Sequence, residues 1–335
     1  MTKISALMSI YNGQKYIKTT IESILSQSFS DFELVIIDDG STDGTSSIIK
    51  SFKDKRIKLY ELNKNYGVGY ALNYGLRYCQ NEYIAKVDGD DIYNVDRFNI
   101  QIKCLDINKD IDVVCSTTNF FPTDEFTRLS PKYKNLKYIF EKQTNSIITT
   151  EQIENRLYDF CCIEHTSTMF RTSVIKNYGY NPNYRICEDY NLFYNLNRSG
   201  HKFMKVKKPL VLQRVSNNST TSLEKNKIYN NIYNIKKEYL LALFKYKFVF
   251  IWGAGSYGIE IQKIFNNNKL HIYGFIDSDM KKWQHKISNY KIYSPNVIDY
   301  IKNVKIVVAS EPGRLEIAKY LENKGLVHLK DYVVV

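Results

Sequence analysis

No stretch of the 335-residue chain approaches the ~20 consecutive apolar residues that a bilayer-spanning helix needs. A soluble or peripheral protein is therefore expected. The opening MTKISALMSIYNG has one lysine and a short strand-like run that meets a turn, without the longer apolar region of a secretory leader, which points to the cytoplasm. The six cysteines form no CxxC pair and no zinc-ribbon spacing; with Cys161 and Cys162 vicinal, they read as reduced thiols, not as a disulfide framework. Acidic residues are outnumbered by basic ones, giving a net charge of +12, yet no helix-turn-helix, RNP or zinc-finger pattern accompanies the excess. Nucleic acid is set aside, and the anionic partners left are a nucleotide or an acidic membrane face.

Hydrophobic residues make up 44% of the chain, enough at this length for real cores and for two domains. ISALMS predicts a strand, and Tyr16, Ile17, Ile21, Ile24 and Leu25 then recur at helical spacing. FELVII reads as a second strand, buried on both faces, ending in DDGSTDGT, where Ser41, Thr42 and Asp43 are good N-cap types for the next helix. A strand around residues 57–62, a helix in GVGYALNYGLRYC and a strand in EYIAKV continue the alternation, which indicates an α/β domain with a mainly parallel sheet. Ligands bind such sheets at the carboxyl ends of the strands, where Asp38-Asp39 and the run Asp88 to Asp91 both fall.

The run KVDGDDIYNVDRF concentrates three carboxylates in four residues. Two carboxylates about 5 Å apart repel by roughly 3 kcal/mol at an effective dielectric of 20. Such a cluster is either an acidic surface turn or a site where hard oxygen ligands hold Mg2+ or Mn2+ against a phosphate. Residues 122–155 are polar and read as an irregular loop or lid. Residues 161–170 (CCIEHTSTMF) predict a strand, and Glu188-Asp189 precede a helix carrying Leu192, Phe193 and Leu196. Residues 223–247 read as one amphipathic linking helix with Ile228, Ile232, Ile235, Tyr239 and Leu243 on one stripe; its basic outer face suits packing on a domain or an anionic membrane.

SALMSIYNGQKYIKTTIESILSQSFSDFELVIIDDGSTDGT, followed in order by GVGYALNYGL, EYIAKVDGDDIYNVDRF, HTSTMFRTSVI, EDYNLFYNL and PLVLQRV, resembles glycosyltransferase family 2 over roughly residues 1–222. The resemblance implies a GT-A fold with a mixed, mainly parallel sheet. It also implies an inverting, metal-dependent enzyme moving a sugar from a nucleotide-diphosphate donor, expected to be a UDP-sugar, to a glycan or lipid-linked saccharide in cell-surface polysaccharide synthesis. On matching positions, Ser9, Tyr11, Asn12, Asp39, Lys86, Asp88, Gly89, Asp90 and Arg214 would bind the donor. Asp90 and Asp88 would hold Mn2+ or Mg2+. Asp189 would be the general base with Glu188 beside it, and His165 would lie on the acceptor side. Many relatives read YRxH where this chain has Gln213, Arg214, Val215 and Ser216, so a histidine of that pattern is missing.

In the last segment, FVFIWGAGSYG places Gly253, Gly255 and Gly258 between a strand and a helix, with Asp277 about twenty residues on, as a dinucleotide site requires. Residues 248–335 are too short for a second mononucleotide half and resemble the small Rossmann-like domains appended to sugar-modifying proteins. An NAD(P)-dependent sugar-modifying oxidoreductase and a non-catalytic nucleotide-sugar-binding protein are the rival readings. A homo-oligomer and a peripheral position at the inner face of the cytoplasmic membrane are compatible with the sequence.

Overall fold

A computed structural model describes residues 3–216 and 225–335. The chain divides into two compact units, Met1–Leu157 with Cys161–Ser219, and Tyr158–Phe160 with Thr220–Val335. The expected limits at residues 222 and 223 lie outside the described residues.

Unit 1 begins with the expected alternation: β1 (Ile4–Ile10), α1 (Ile17–Leu25), β2 (Phe32–Asp38), α2 (Thr45–Ser51), β3 (Ile57–Glu61), α3 (Val68–Leu76) and β4 (Tyr83–Asp88). β2 is buried at every position, as its unbroken apolar run requires, and α1 buries Ile17, Thr20, Ile21 and Ile24 at helical spacing. β5 (Ile92–Tyr93), α4 (Arg97–Ile107) and β6 (Val113–Pro122) follow, and β7 (Met169–Arg171), α9 (Thr172–Tyr178), α10 (Glu188–Arg198) and β8 (Phe203–Val215) close the unit. The eight-stranded sheet has the order β3-β2-β1-β4-β7-β6-β8-β5. Strands β1 to β4 pair in parallel, whereas β7 is antiparallel to both β4 and β6, giving a mixed sheet. Register sets Ile10 beside Asp38 and Ser9 beside Asp88, so the acidic strand ends meet on one edge.

Three expectations are corrected. Residues 122–155 are largely helical: α5 (Glu125–Leu129), α6 (Pro131–Asn135), a π-helical turn at Leu136–Phe140, α7 (Glu141–Ser146) and α8 (Thr150–Leu157). Local chemistry starts the first two, with Asp124 capping the Thr127 N–H and Ser130 capping the Tyr133 N–H ahead of Pro131. Residues 161–170 do not form one strand. A 3-10 turn at His165–Ser167 interrupts it, and only Met169 onward pairs in the sheet. The N-cap of α2 is Gly44; Ser41 accepts the Asn12 N–H, while Asp43 accepts the N–H of Gln14 and that of Thr45 at the start of the helix.

Unit 2 contains α11 (Lys225–Leu243), β9 (Val249–Trp252), α12 (Ser256–Asn267), β10 (Gly274–Ile276), β11 (Lys286–Ile287), β12 (Tyr290–Tyr293), α13 (Val297–Tyr300), β13 (Lys305–Val308), α14 (Arg314–Asn323) and β14 (Tyr332–Val334). Its sheet order is β11-β12-β10-β9-β13-β14, parallel except for the terminal hairpin pair. α11 packs on this core through Tyr233, Leu240 and Leu243, with Ile232 and Tyr239 at the margin.

At the first turn of this unit Gly253 has φ +125, and an added Cβ would stand 2.2 Å from the Ala309 carbonyl oxygen, whereas a Cβ on Gly255 would meet nothing within 4 Å. Gly253→Ala should therefore destabilise unit 2 by about 3 kcal/mol and Gly255→Ala by less than about 0.5 kcal/mol. Both tryptophans, Trp252 and Trp283, lie in unit 2, so denaturant titrations followed by tryptophan fluorescence read this unit alone.

Candidate active site

β4 carries Lys86 and Asp88 on one side of the strand, and the turn after it presents Gly89, Asp90 and Asp91. Two buried cations lie under this turn. Lys86, 1% exposed, is ion-paired with Asp88 and donates to the Val87 carbonyl at 3.0 Å. Arg97, fully buried, donates to the carbonyls of Lys86 at 2.8 Å and Thr168 at 3.0 Å, and to the Gln101 amide oxygen at 3.0 Å. Its guanidinium sits 4.8 Å from the centre of the Tyr93 ring. The Tyr93 hydroxyl in turn accepts the Asp88 N–H at 2.6 Å and shares a 2.7 Å bond with Thr166.

The three carboxylates differ in consequence. Burial opposes ionisation of Asp88, but Lys86 outweighs it, with Arg97 contributing, and holds the group below its ordinary value. Asp90 is open to solvent yet recessed among protein groups; desolvation, then repulsion from Asp88, pushes it up to about 6 against the pull of Arg214. Asp91 is buried and driven well above its usual range by desolvation and by Asp90 and Asp88. Its Oδ1 accepts the Arg214 N–H at 2.8 Å, while Oδ2, beside Thr166, makes no hydrogen bond of normal geometry. Gly89 lies against Ile10, where a Cβ would come within 2.5 Å of Cδ1.

Asp39 follows β2 and is anchored by its own N–H on the Ile10 carbonyl at 2.8 Å. Its carboxylate accepts the Tyr66 N–H at 2.9 Å and the Gly67 N–H at 2.7 Å, one on each oxygen. Burial raises its pKa and these two amides oppose the rise. Gly40, at φ +75, lets the chain turn directly over the backbone of Lys64 and Asn65. Asn12, itself left-handed, holds the facing loop by accepting the Thr42 N–H at 2.9 Å. Tyr11 is exposed beside it, and Ser9 stands in register with Asp88. Arg214 lies between two rings, 4.2 Å from the centre of Tyr16 and 4.5 Å from that of Phe121, and its Nε donates to the Asp90 carbonyl at 2.8 Å.

Glu188 and Asp189 open α10 after Cys187, whose left-handed φ of 64° turns the chain into the helix. Burial and then repulsion from Asp189 push Glu188 up to about 8; burial, with Asp88 adding repulsion, also raises Asp189. Glu188 is therefore largely protonated near neutrality. His165 is buried, its Nε2 sharing a 2.8 Å bond with the Tyr180 hydroxyl, and burial with Lys86 nearby pushes it down to about 3. It acts as a neutral hydrogen-bonding group, not as a charged one.

Sequence reasoning missed Tyr93, Arg97, Thr166 and Glu164. Burial, and repulsion from Asp189, push Glu164 up to about 7 despite Lys205, and its Oε1 is buried without a partner. Arg97 falls within the quoted run KVDGDDIYNVDRF, but a single arginine at the start of a helix carries no mark of burial.

In unit 2 the glycine motif forms the turn from β9 into α12, with Gly258 so close to Gly253 that a Cβ would stand 1.8 Å from its carbonyl oxygen. Asp277 follows β10, and its carboxylate accepts the N–H of Ala254 and of Asp279, both at 2.9 Å, and pairs with Lys282 at 2.9 Å. Its acceptor capacity serves the protein's own loops.

Among the described residues no group of three or more His, Cys, Asp or Glu side chains is placed to hold a metal ion. Asp88 and Asp90 still suit a divalent cation. Asp90 is raised by the carboxylate beside it, a repulsion a dication would relieve, and a donor diphosphate would supply the oxygens the protein lacks. Asp91→Asn isolates the cost of the uncompensated charge. Asp91 has a raised folded pKa, so its penalty is absent below the unfolded value near 3.8 and grows as pH rises toward the folded value. The variant should melt higher than wild type at pH 7 to 8 in chelator, with the gap closing by about pH 4. Melting curves across that range check it.

The sequence profile described as Glycosyl transferase family 2 matches residues 5–179, and one described as C2185-like, N-terminal matches residues 245–330. Glu188, Asp189 and Arg214 lie beyond the first match. An uncharacterised glycosyltransferase of Methanocaldococcus jannaschii, MJ1057, is 27% identical over 264 residues, covering 77% of this chain and 87% of its own. Staphylococcus aureus TarS 1-349 in complex with UDP-GlcNAc superposes with a TM-score of 0.56 at 21% identity, over 71% of this chain and 66% of that one. The mannosyltransferase PcManGT of Pyrobaculum calidifontis, in complex with GDP-Man and Mn2+, gives 0.55 at 15% identity over 72% and 64%. These two likenesses establish the fold; the profile covers more than half of the sequence. A mixed sheet with acidic turns at its strand ends and a profile match across β1 to α9 lead to one conclusion: the chain belongs to glycosyl transferase family 2 and is a GT-A glycosyltransferase.

Proposed function

We propose that this glycosyltransferase is metal-dependent and inverting, and that it moves a sugar from a nucleotide-diphosphate donor, a UDP-sugar, to a saccharide or lipid-linked saccharide in cell-surface polysaccharide synthesis at the cytoplasmic side of the membrane. The observation that carries the reading is the approach of Asp88, ion-paired with Lys86, to the start of α10, where its charge raises both the buried Glu188 and the half-buried Asp189. One site thus holds an acidic turn suited to a cation and diphosphate, and a base poised for a hydroxyl.

Tyr11 and Asp39 would bind the base, the carboxylate receiving an imide N–H on lone pairs not used by Tyr66 and Gly67. Ser9, Asn12, Lys86 and Gly89 would form the floor under ribose and diphosphate. Asp90 and Asp88 would hold Mn2+ or Mg2+, which when bound neutralises charge growing on the leaving diphosphate. Arg214, fixed between Tyr16 and Phe121, would add a second positive group there. Asp189 would take the acceptor's proton as its oxygen attacks the anomeric carbon opposite the diphosphate, with Glu188 protonated and His165 neutral on the acceptor side. TarS in complex with UDP-GlcNAc supports a UDP donor, and PcManGT with GDP-Man and Mn2+ supports the cation. The glycine turn of unit 2 would be an assembly element, because Asp277 is spent on Ala254, Asp279 and Lys282.

Asp189→Asn should lower transfer or donor hydrolysis about 10^3-fold while UDP affinity stays within about twofold. Glu188→Gln should keep activity within about tenfold, leave the acid limb of the pH-rate profile in place and remove the change near pH 8 that ionisation of Glu188 would cause. Steady-state assays on UDP-GlcNAc with each variant, run from pH 5 to 9, check both. Retained activity in Asp189→Asn would remove it as the base.

A further inference from the structure

Three of the most exposed large apolar side chains of the protein lie within thirteen residues: Phe126 at 80%, Leu129 at 63% and Tyr138 at 69%. They project from α5 and from the helical run of α6, the π-helical turn and α7. Residues 125–142 also carry five cations, Arg128, Lys132, Lys134, Lys137 and Lys142, against two anions, Glu125 and Glu141. The anions are occupied within the segment, Glu125 by Arg128 at 3.4 Å and Glu141 by Lys137 at 2.9 Å. Lys134 and Lys142 are exposed, form no ion pair among the described residues, and flank Tyr138 at spacings of four in the sequence.

We propose that this helical insertion is an interfacial membrane anchor that docks on an anionic bilayer surface. Single apolar side chains standing between lysines suit a headgroup layer, where the rings and the leucine enter the acyl boundary and the ammonium groups meet lipid phosphates. A protein-binding face would show the reverse, a continuous apolar centre depleted of lysine. The insertion is seated on a small core of its own, Tyr133 against Phe120 and Val215 with Leu136 and Phe140 around it, so its outer face is held firmly. It also adjoins the acidic turn: the Phe121 ring touches Arg214, which donates to the Asp90 carbonyl. Docking by this face would bring a lipid-linked acceptor to the site. This last consequence rests on the proposed function; the membrane contact does not.

The test is co-sedimentation of the full chain with vesicles of phosphatidylcholine alone and of phosphatidylcholine with 30% phosphatidylglycerol, at about 0.1 M and 0.5 M salt. Wild type should pellet with the anionic vesicles at low salt only. Phe126→Ser with Leu129→Ser, and separately Lys134→Glu with Lys142→Glu, should each lower partitioning at least tenfold. Lys245→Glu with Lys247→Glu, a matched charge change just past α11, should leave it within twofold. UDP-induced thermal shift on the same variants reports the donor site separately, so failure of vesicle binding and failure of the glycosyltransfer reading are distinguishable. Wild type that stays in the supernatant overturns the proposal. So does binding that survives the Phe126/Leu129 change, binding lost only through Lys245 and Lys247, or a loss of self-association in that apolar variant with vesicle binding unchanged.

Discussion

Two positive charges buried under one acidic turn organise the catalytic unit. Lys86 and Arg97 are almost completely removed from water, which would cost several kcal/mol per ion without compensation. Compensation comes from the Asp88 carboxylate, from the carbonyls of Lys86, Val87 and Thr168, and from the faces of Tyr93 and Phe98. Because the Thr168 carbonyl belongs to the segment leading into β7, Arg97 ties the turn after β4 to the 3-10 turn that carries His165. The acidic turn and the turn carrying His165 thus share one electrostatic foundation.

That foundation sorts the acidic residues. Asp88, in contact with Lys86, is held ionised, whereas Asp90 and Asp91, two and three positions further on, are pushed toward protonation by burial and by Asp88. A cation bound over such a turn would relieve that repulsion. At α10 burial raises Glu188 and Asp189 together, with Asp189 adding repulsion to Glu188 and Asp88 adding repulsion to both.

The sequence made the first four strands and their acidic ends legible, because apolar runs such as FELVII and helical spacing in Ile17, Ile21 and Ile24 are strong local signals. Residues 122–155 were not legible. Their helices are polar, short and set by caps at Asp124 and Ser130, and their core partners Phe120 and Val215 are distant in sequence from one another. The turn at His165–Ser167 was hidden for a related reason: bonds from Tyr93 to Thr166, from Gln101 to the Ser167 carbonyl and from Arg97 to the Thr168 carbonyl override the strand pattern of an apolar run. Arg97 and Glu164 were missed because a charged residue read alone looks solvated; only the packed structure shows what surrounds it. The glycine pattern of unit 2 was read correctly as a strand-turn-helix, yet its acidic partner Asp277 is already bonded within the protein.

The central claim is that the turn from Asp88 to Asp91 binds a nucleotide diphosphate through a divalent cation. Isothermal titration of wild type and Asp90→Asn with UDP, in Mn2+ and in chelator, tests it most directly. The account predicts binding that requires Mn2+ in wild type and weakens at least tenfold in Asp90→Asn. Equal UDP affinity in chelator, or in the variant, would contradict it.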